Sequence, residues 1–285
     1  MDLPLNGLRA FEVSARHLSF TRAAGELNLT PAAVSQHVQK LELRLGVRLF
    51  RRLPRGLALT DEGQALLPTL ADAFERMGVA LHGLRDGRPR EPLSIGVVAT
   101  FAVGWLLPRL PSFAAAHPFV DLRLFTHNNR VDLAGEGLDY AVRFGDGNWH
   151  GNEALPLLPV GLAPVCAPAL AARVQQPRDL AAQALLRSYR ADEWPLWFAA
   201  AGLATPMLRG MVFDSSLALA EAAAQGAGVA LLPVDLFARD LASGRLVRPF
   251  ALQIHTGRYW LTRLGSRRIG PAMQAFQDWL LAELR

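Results

Sequence analysis

One string divides this chain. Arg85-Asp86-Gly87-Arg88-Pro89-Arg90-Glu91-Pro92 contains two prolines, a glycine and no apolar side chain, so it can neither join a core nor continue a helix. A chain of 285 residues cut there builds two cores, a small one in front and a larger one behind. Charge divides the same way. Residues 16–55 carry eight basic side chains against two acidic ones, a net of +6, whereas residues 91–285 hold 17 arginines and 16 acids. A basic front on a nearly neutral body points to a polyanion as the partner of the front; a merely solvated basic face is the alternative.

The front reads as short helices. A first helix is expected around Leu5, Leu8, Phe11, Val13 and Ala15. A second, Thr21 to Leu27, is capped by Ser19 or Thr21 and packs through Ala23, Ala24 and Leu27. Thr30 is placed as an N-cap with Pro31 at the first helical position, which pre-organises a helix start. That third helix runs to about Leu45, with Val34, Val38, Leu41 and Leu45 on one face, and Gly46 ends it. Residues 20–39 therefore have helix-turn-helix logic: one short helix braces a second, whose early exposed residues can enter a major groove. Ser35, Gln36 and Gln39 can read base edges, and Ala32 or Ala33 can touch a thymine methyl.

Two apolar runs then flank Pro54-Arg55-Gly56, the pattern of a hairpin with arginines at its tip. Lys40, Arg51, Arg52 and Arg55 suit phosphates or a narrow minor groove. From Thr60 a long helix is expected, with Asp61 and Glu62 in its first turn, where the helix dipole favours acids. Leu66, Leu70, Ala73, Met77, Ala80 and Leu84 recur at heptad spacing, which suits pairing with a second helix; packing onto the helix's own domain is the alternative.

The body alternates strand and helix patterns. Strands are expected at 93–98, 120–125 and 139–144, then at 161–166, 185–189, 211–213 and 228–233. Two similar sets suggest two α/β lobes with parallel sheets around a cleft, and such sheets bind ligands at the carboxyl ends of their strands. Enzyme signatures are missing: the seven histidines lack metal spacing, and no Gly-x-Ser-x-Gly or phosphate-loop pattern occurs. No metal and no cofactor are expected. Cys166, the one cysteine, allows no internal disulfide and reads as a buried thiol. No run approaches about 18 apolar residues, and Met1-Asp2-Leu3-Pro4 is unlike a signal peptide, so a cytoplasmic protein without membrane contact is expected.

Five strings carry a family likeness: Leu8-Arg-Ala-Phe-Glu-Val13, Ser19-Phe-Thr-Arg-Ala-Ala-Gly-Glu-Leu27, Thr30-Pro-Ala-Ala-Val-Ser-Gln-His-Val-Gln-Lys-Leu-Glu42, Leu49-Phe-Arg-Arg52 and Leu59-Thr-Asp-Glu-Gly63. Together they resemble the LysR-type transcriptional regulators. The resemblance implies a winged helix-turn-helix over 1–60, a dimerising linker helix and hinge over 61–92, and an effector domain over 93–285. That last domain would have two lobes like a type 2 periplasmic binding protein, one at 93–160 with 265–285 and the other at 161–264. The implied DNA-facing set is Arg22, Thr30, Pro31, Ala32, Ser35, Gln36, Gln39, Lys40, Arg51, Arg52 and Arg55.

Within that family, Thr126-His-Asn-Asn-Arg-Val-Asp132, Glu136-Gly-Leu-Asp-Tyr-Ala-Val-Arg-Phe-Gly145, Leu186-Arg-Ser-Tyr-Arg-Ala-Asp-Glu-Trp-Pro-Leu-Trp-Phe198 and Tyr259-Trp-Leu-Thr-Arg263 are similar to the members that control chromosomal β-lactamase genes. This implies cell-wall muropeptides as effectors, a precursor holding the regulator in repression and an anhydro form making it activate. Thr100, Asp132, Ser216 and Tyr259 match the implied pocket, with Phe101, Asn129 and Ser215 beside them. Promoter DNA, RNA polymerase and further copies of the chain, as a homodimer or homotetramer, are the implied partners. A LysR-type regulator of another operon sensing a different small anion, and a two-lobed binding or enzymatic module with a DNA anchor, remain as other readings.

Overall fold

A computed structural model describes residues 3–53, 56–85 and 90–284. The chain forms two compact units, Met1–Pro92 with Ala134–Gly137, and Leu93–Leu133 with Leu138–Arg285. No helix among the described residues is long and apolar enough to cross a membrane.

The first unit opens with three helices, α1 (Leu5–His17), α2 (Phe20–Leu27) and α3 (Pro31–Leu45). Their limits follow from capping. The Ser19 hydroxyl accepts from the Arg22 amide and starts α2. Asn28 turns the chain with a left-handed backbone, φ 53°, a region where asparagine is tolerated. Thr30 caps α3 by accepting from the Ala33 amide at 3.2 Å, Pro31 follows, and Gly46 closes the helix at φ 72°. Phe11, Val34, Val38, Leu41, Leu49 and Leu57 are buried together, with the Phe50 ring set between Phe11 and Phe20. At the outer edge Arg16 and His17 both bond to Glu26, and these bonds hold its carboxyl down to about 2.

Strands β1 (Phe50–Leu53) and β2 (Gly56–Leu59) form the expected antiparallel hairpin. Thr60 caps α4 (Asp61–Arg85) by accepting from the Gly63 amide, and its hydroxyl donates to the Arg48 carbonyl at 2.7 Å. Gly63 is required here because a Cβ would collide with the Leu49 carbonyl. The seam along α4 behaves in two ways. Leu66, Leu67 and Leu70 are half-buried against their own domain's core. Further along, the seam's Met77 is 45% exposed, and Leu81, one turn on from it and beside the seam, is 63% exposed. The Leu84 side chain lies outside the described residues. So do residues 86–89 of the linker, whose Glu91 and Pro92 already belong to the first strand of the body.

The second unit is one eight-stranded sheet. Its strands are β3 (Glu91–Val98), β4 (Val120–His127), β5 (Tyr140–Gly145), β6 (Asn152–Val165), β7 (Leu185–Ser188), β8 (Val212–Phe213), β9 (Val229–Pro233) and β10 (Ile254–Leu264). Their order is β4-β3-β5-β10-β6-β9-β7-β8. Each end is parallel, β3 with β5 and β7 with both β8 and β9. The middle is not: β10 runs antiparallel to β5 and β6, and β6 antiparallel to β9. The expectation of wholly parallel lobes is corrected in this way. Two long strands cross from one lobe to the other and return, and a direct return is antiparallel. Arg258–Thr262 pair with β5, so part of the stretch assigned to the second lobe runs with the first.

Short helices cover the sheet. Helix α5 (Ala99–Phe101) continues into a π-helical turn at Ala102–Leu106, followed by α6 (Leu110–Ala116), α7 (Pro168–Ala171), α8 (Glu193–Ala200), α9 (Ser216–Ala224), α10 (Ala238–Ala242) and α11 (Pro271–Ala282). Leu93, Ile95, Phe113, Tyr140 and Phe276 anchor one core, and Trp194, Trp197, Phe198 and Leu180 anchor the other. Cys166 is fully buried and its thiol is pushed up to about 11, an inert structural thiol.

Candidate functional site

On α3 the buried face, Val34, Val38 and Leu41, turns the opposite face outward. Pro31, Ala32, Gln36, Gln39 and Lys40 are exposed and Ser35 is half-buried. Arg22 on α2 and Arg51 on β1 are exposed as well. Thr30 is exposed, and its hydroxyl also caps α3 by accepting from the Ala33 amide. Arg55 and the Arg52 side chain lie outside the described residues.

Glu42, an acid with no structural role expected from the sequence, is 7% exposed. One carboxylate oxygen accepts from the Leu49 and Phe50 amides at 2.8 and 3.2 Å, and the other from Arg48 at 3.0 Å. It staples the end of α3 to the start of the hairpin, and so sets the angle between reading helix and wing. Glu42→Ala leaves two buried amides without acceptors. Each costs about 1–3 kcal/mol, so the melting temperature of the N-terminal domain should fall by roughly 8 °C or more. Calorimetric melting within 2 °C or so of the parent protein would refute that role.

The second candidate site is a cavity where the carboxyl ends of the outer strands meet. It is lined by Val98, Ala99 and Thr100 after β3, His127, Asn128 and Asn129 at the end of β4, and Phe144 in β5. The other lobe supplies Tyr189 and Arg190 after β7 and Asp214, Ser215 and Ser216 after β8, with Tyr259 rising from β10. Thr100 and Tyr259 are each 3% exposed. Burial drives the Tyr259 phenol well above its ordinary range, so it is a neutral hydroxyl at any physiological pH. Its ring rests on Phe101 and Phe144, with centroids 5.0 and 5.2 Å away. Ser215 occupies the N-cap position of α9 without a side-chain cap bond.

Of the expected effector residues, the fold brings Thr100, Asn129, Ser215, Ser216 and Tyr259 together. Phe101 is fully buried behind the cavity, supporting the Tyr259 ring. Asp132 is exposed and lies off the cavity wall, because the chain leaves the sheet after His127 and Leu133 anchors it in a separate small cluster. Asn129 lines the wall, but both ends of its amide are engaged: Oδ1 accepts from the Phe144 amide and Nδ2 donates to the Phe144 carbonyl, each at 2.7 Å. These two bonds brace it against β5, and its backbone is left-handed at φ 64°. The cavity encloses only about 30 Å³, room for a water molecule or two. Asn128 crosses its mouth, donating to Asp214 at 2.8 Å and so joining the two lobes. Among the described residues, no group of three His, Cys, Asp or Glu is placed to hold a metal.

A helix-turn-helix with a basic wing, joined to a two-lobed body with a cleft, defines a ligand-responsive DNA-binding regulator. Residues 5–64 match the family described as bacterial regulatory helix-turn-helix protein, lysR family, and residues 86–285 match the LysR substrate binding domain. The chain belongs to the LysR family of transcriptional regulators: its N-terminal domain binds DNA and its C-terminal domain takes a small-molecule effector. It is 62% identical over 281 residues to the HTH-type transcriptional activator AmpR of Pseudomonas aeruginosa, covering 98% of this chain and 95% of that one. It is 48% identical to the carbapenem-hydrolyzing beta-lactamase transcriptional activator of Serratia marcescens, with 98% and 97% covered. Among solved structures it resembles the effector binding domain from Citrobacter freundii carrying three substitutions, one each at a threonine, a serine and a tyrosine. The TM-score is 0.67 at 48% identity, over 69% of this chain and all of that one.

Proposed function

We propose that this regulator controls a β-lactamase gene in response to cell-wall muropeptides, repressing with a precursor bound and activating with an anhydro-muropeptide. One observation carries the reading. Thr100, Ser216 and Tyr259, from three separate stretches of sequence, line one cavity, and they match in residue type and chain order the three positions replaced in the Citrobacter freundii domain. Three hydroxyls with an aromatic face suit a sugar-linked peptide, which offers amides, carboxylates and hydroxyls in one molecule. The likeness to the Serratia marcescens activator supplies the kind of gene.

A peptide cannot enter a space of about 30 Å³, so binding opens the lobes and breaks the Asn128–Asp214 bond. An effector shifts that equilibrium only through its different affinity for the two states. Such a protein works in the cytoplasm as a homodimer or homotetramer, places its α3 helices on half-sites a helical turn or a multiple apart, and meets RNA polymerase at the promoter.

Thr100→Val tests the pocket, because it removes a hydroxyl and keeps the shape. One lost hydrogen bond to a charged group is worth about 1.5–3 kcal/mol, so muropeptide affinity should fall roughly tenfold to a hundredfold with operator binding intact. Calorimetry beside a gel-shift reads both. Unchanged peptide affinity in Thr100→Val and Tyr259→Phe together would rule out the assignment.

A further inference from the structure

One lining residue of the cavity lies in the string Leu186–Phe198 that carries the likeness, yet no site role was expected of it. Among the described residues that line it, Arg190 is the permanent cation. It follows β7 at the carboxyl end of a parallel strand, where open α/β sheets meet their ligands. Its guanidinium lies 4.5 Å from the centre of the Phe144 ring and 4.8 Å from that of Tyr189. Cation–π contact with two rings holds the group in place through its faces and leaves N–H donors for an acceptor.

Those edges have a loosely held partner. Arg190 Nη1 is 3.5 Å from Glu193 Oε1, long beside the 2.7–2.9 Å usual for a charge-assisted bond. The Glu193 carboxyl is better served by Ser188, whose Oγ donates to Oε2 at 2.6 Å. It is also 4% exposed, and its burial raises its pKa against the opposing pull of Ser188 and Arg190. Asp214, the acid on the cavity wall, is engaged by Asn128 across the mouth. The cavity thus holds an oriented cation whose nearest acid has another partner.

The geometry points to Arg190 as the carboxylate-binding residue of this cavity, a bidentate clamp for a carboxylate of the peptide effector, with Glu193 as the partner it leaves on binding. This rests on the reading of the cleft as a peptide site and adds its selectivity: acids are accepted and the corresponding amides rejected. A guanidinium on a carboxylate makes two parallel bonds, whereas a carboxamide presents an N–H face to the same donors and loses at least one of them.

The test uses the full-length protein and calorimetry with two probes, a muramyl pentapeptide with free carboxylates and the same compound with its peptide carboxylates amidated. The parent protein should prefer the acid by about tenfold or more. Arg190→Gln should bind the two probes equally, and Arg190→Lys should keep part of the preference, since it retains charge without the fork. Melting temperature and operator binding should stay those of the parent. If the parent binds both probes equally, the clamp is wrong while the peptide reading stands, and that arm needs no variant to fold. If Arg190→Gln keeps the parent's preference, the clamp is again wrong. If the parent binds neither probe, the peptide reading falls and the clamp falls with it.

Discussion

Between about 50 and 200 mM salt, the affinity of the full-length protein for its own upstream DNA should fall roughly a thousandfold or more. Every phosphate neutralised by a cation releases condensed counterions, and the loss grows with the number of such contacts. Each subunit presents Arg22, Lys40 and Arg51 as exposed cations around α3, with the capped N-terminus of that helix between them. A protein that places two subunits on two half-sites reaches about six phosphates from these alone. Arg48, although 78% exposed along its side chain, is paired with Glu42 and contributes less. The variants should separate two kinds of contact. Arg51→Ala should weaken binding to all sequences by a similar factor and flatten the salt slope by about one per subunit. Gln36→Ala should instead relax preference at one base pair, by about 1–3 kcal/mol of discrimination. Fluorescence anisotropy over a salt series, with operator and scrambled duplexes, reads both; a slope near zero would place DNA binding elsewhere on the molecule.

Those DNA-facing residues were readable because helix ends are written locally. Ser19 and Thr30 start α2 and α3 by accepting from amides within a turn, Pro31 pre-sets the first helical position, and Gly46 ends α3 by donating to the Glu42 carbonyl; the faces then follow from the 3.6-residue period. Thr100 and Ser216 were readable for a related reason, as strand-to-helix turns at carboxyl ends. What escaped was set by distant partners. Glu42 looks like one more surface acid until the hairpin amides seven and eight residues on are folded against it. Arg190 becomes a cation on an aromatic shelf only when Phe144 arrives from another strand. The first half of β6 was hidden by Pro156 and Pro159, which argue against a strand; both pair with β10 where its register shifts. Asp132 follows the lining residues His127, Asn128 and Asn129 by only three positions, but it is exposed and off the wall of the closed cavity.

The linker helix shows most clearly how a periodic signal can serve two purposes, and the two halves of its seam should respond differently to charge. Leu70→Asp should damage the N-terminal domain itself. Leu70 is half-buried and packs on the core built from Phe11, Leu41 and Leu57. Losing that packing and forcing a carboxylate against it costs about 2–3 kcal/mol, or roughly 10 °C or more in the melting of a domain this small. Met77→Asp should leave that melting within about 2 °C, because Met77 is 45% exposed and surface changes rarely exceed about 0.5 kcal/mol. A second copy pairing along Met77 and Leu81 would bury both side chains, and an aspartate there puts an unpaired charge in an apolar contact. Sedimentation of Met77→Asp should therefore show folded monomers with operator affinity reduced at least a hundredfold, since two linked half-sites are no longer engaged together. Folded dimers of Met77→Asp at low concentration would move the pairing surface off this half of α4. Monomers from Leu70→Asp with unchanged melting would mean instead that Leu70 faces the partner and not its own core.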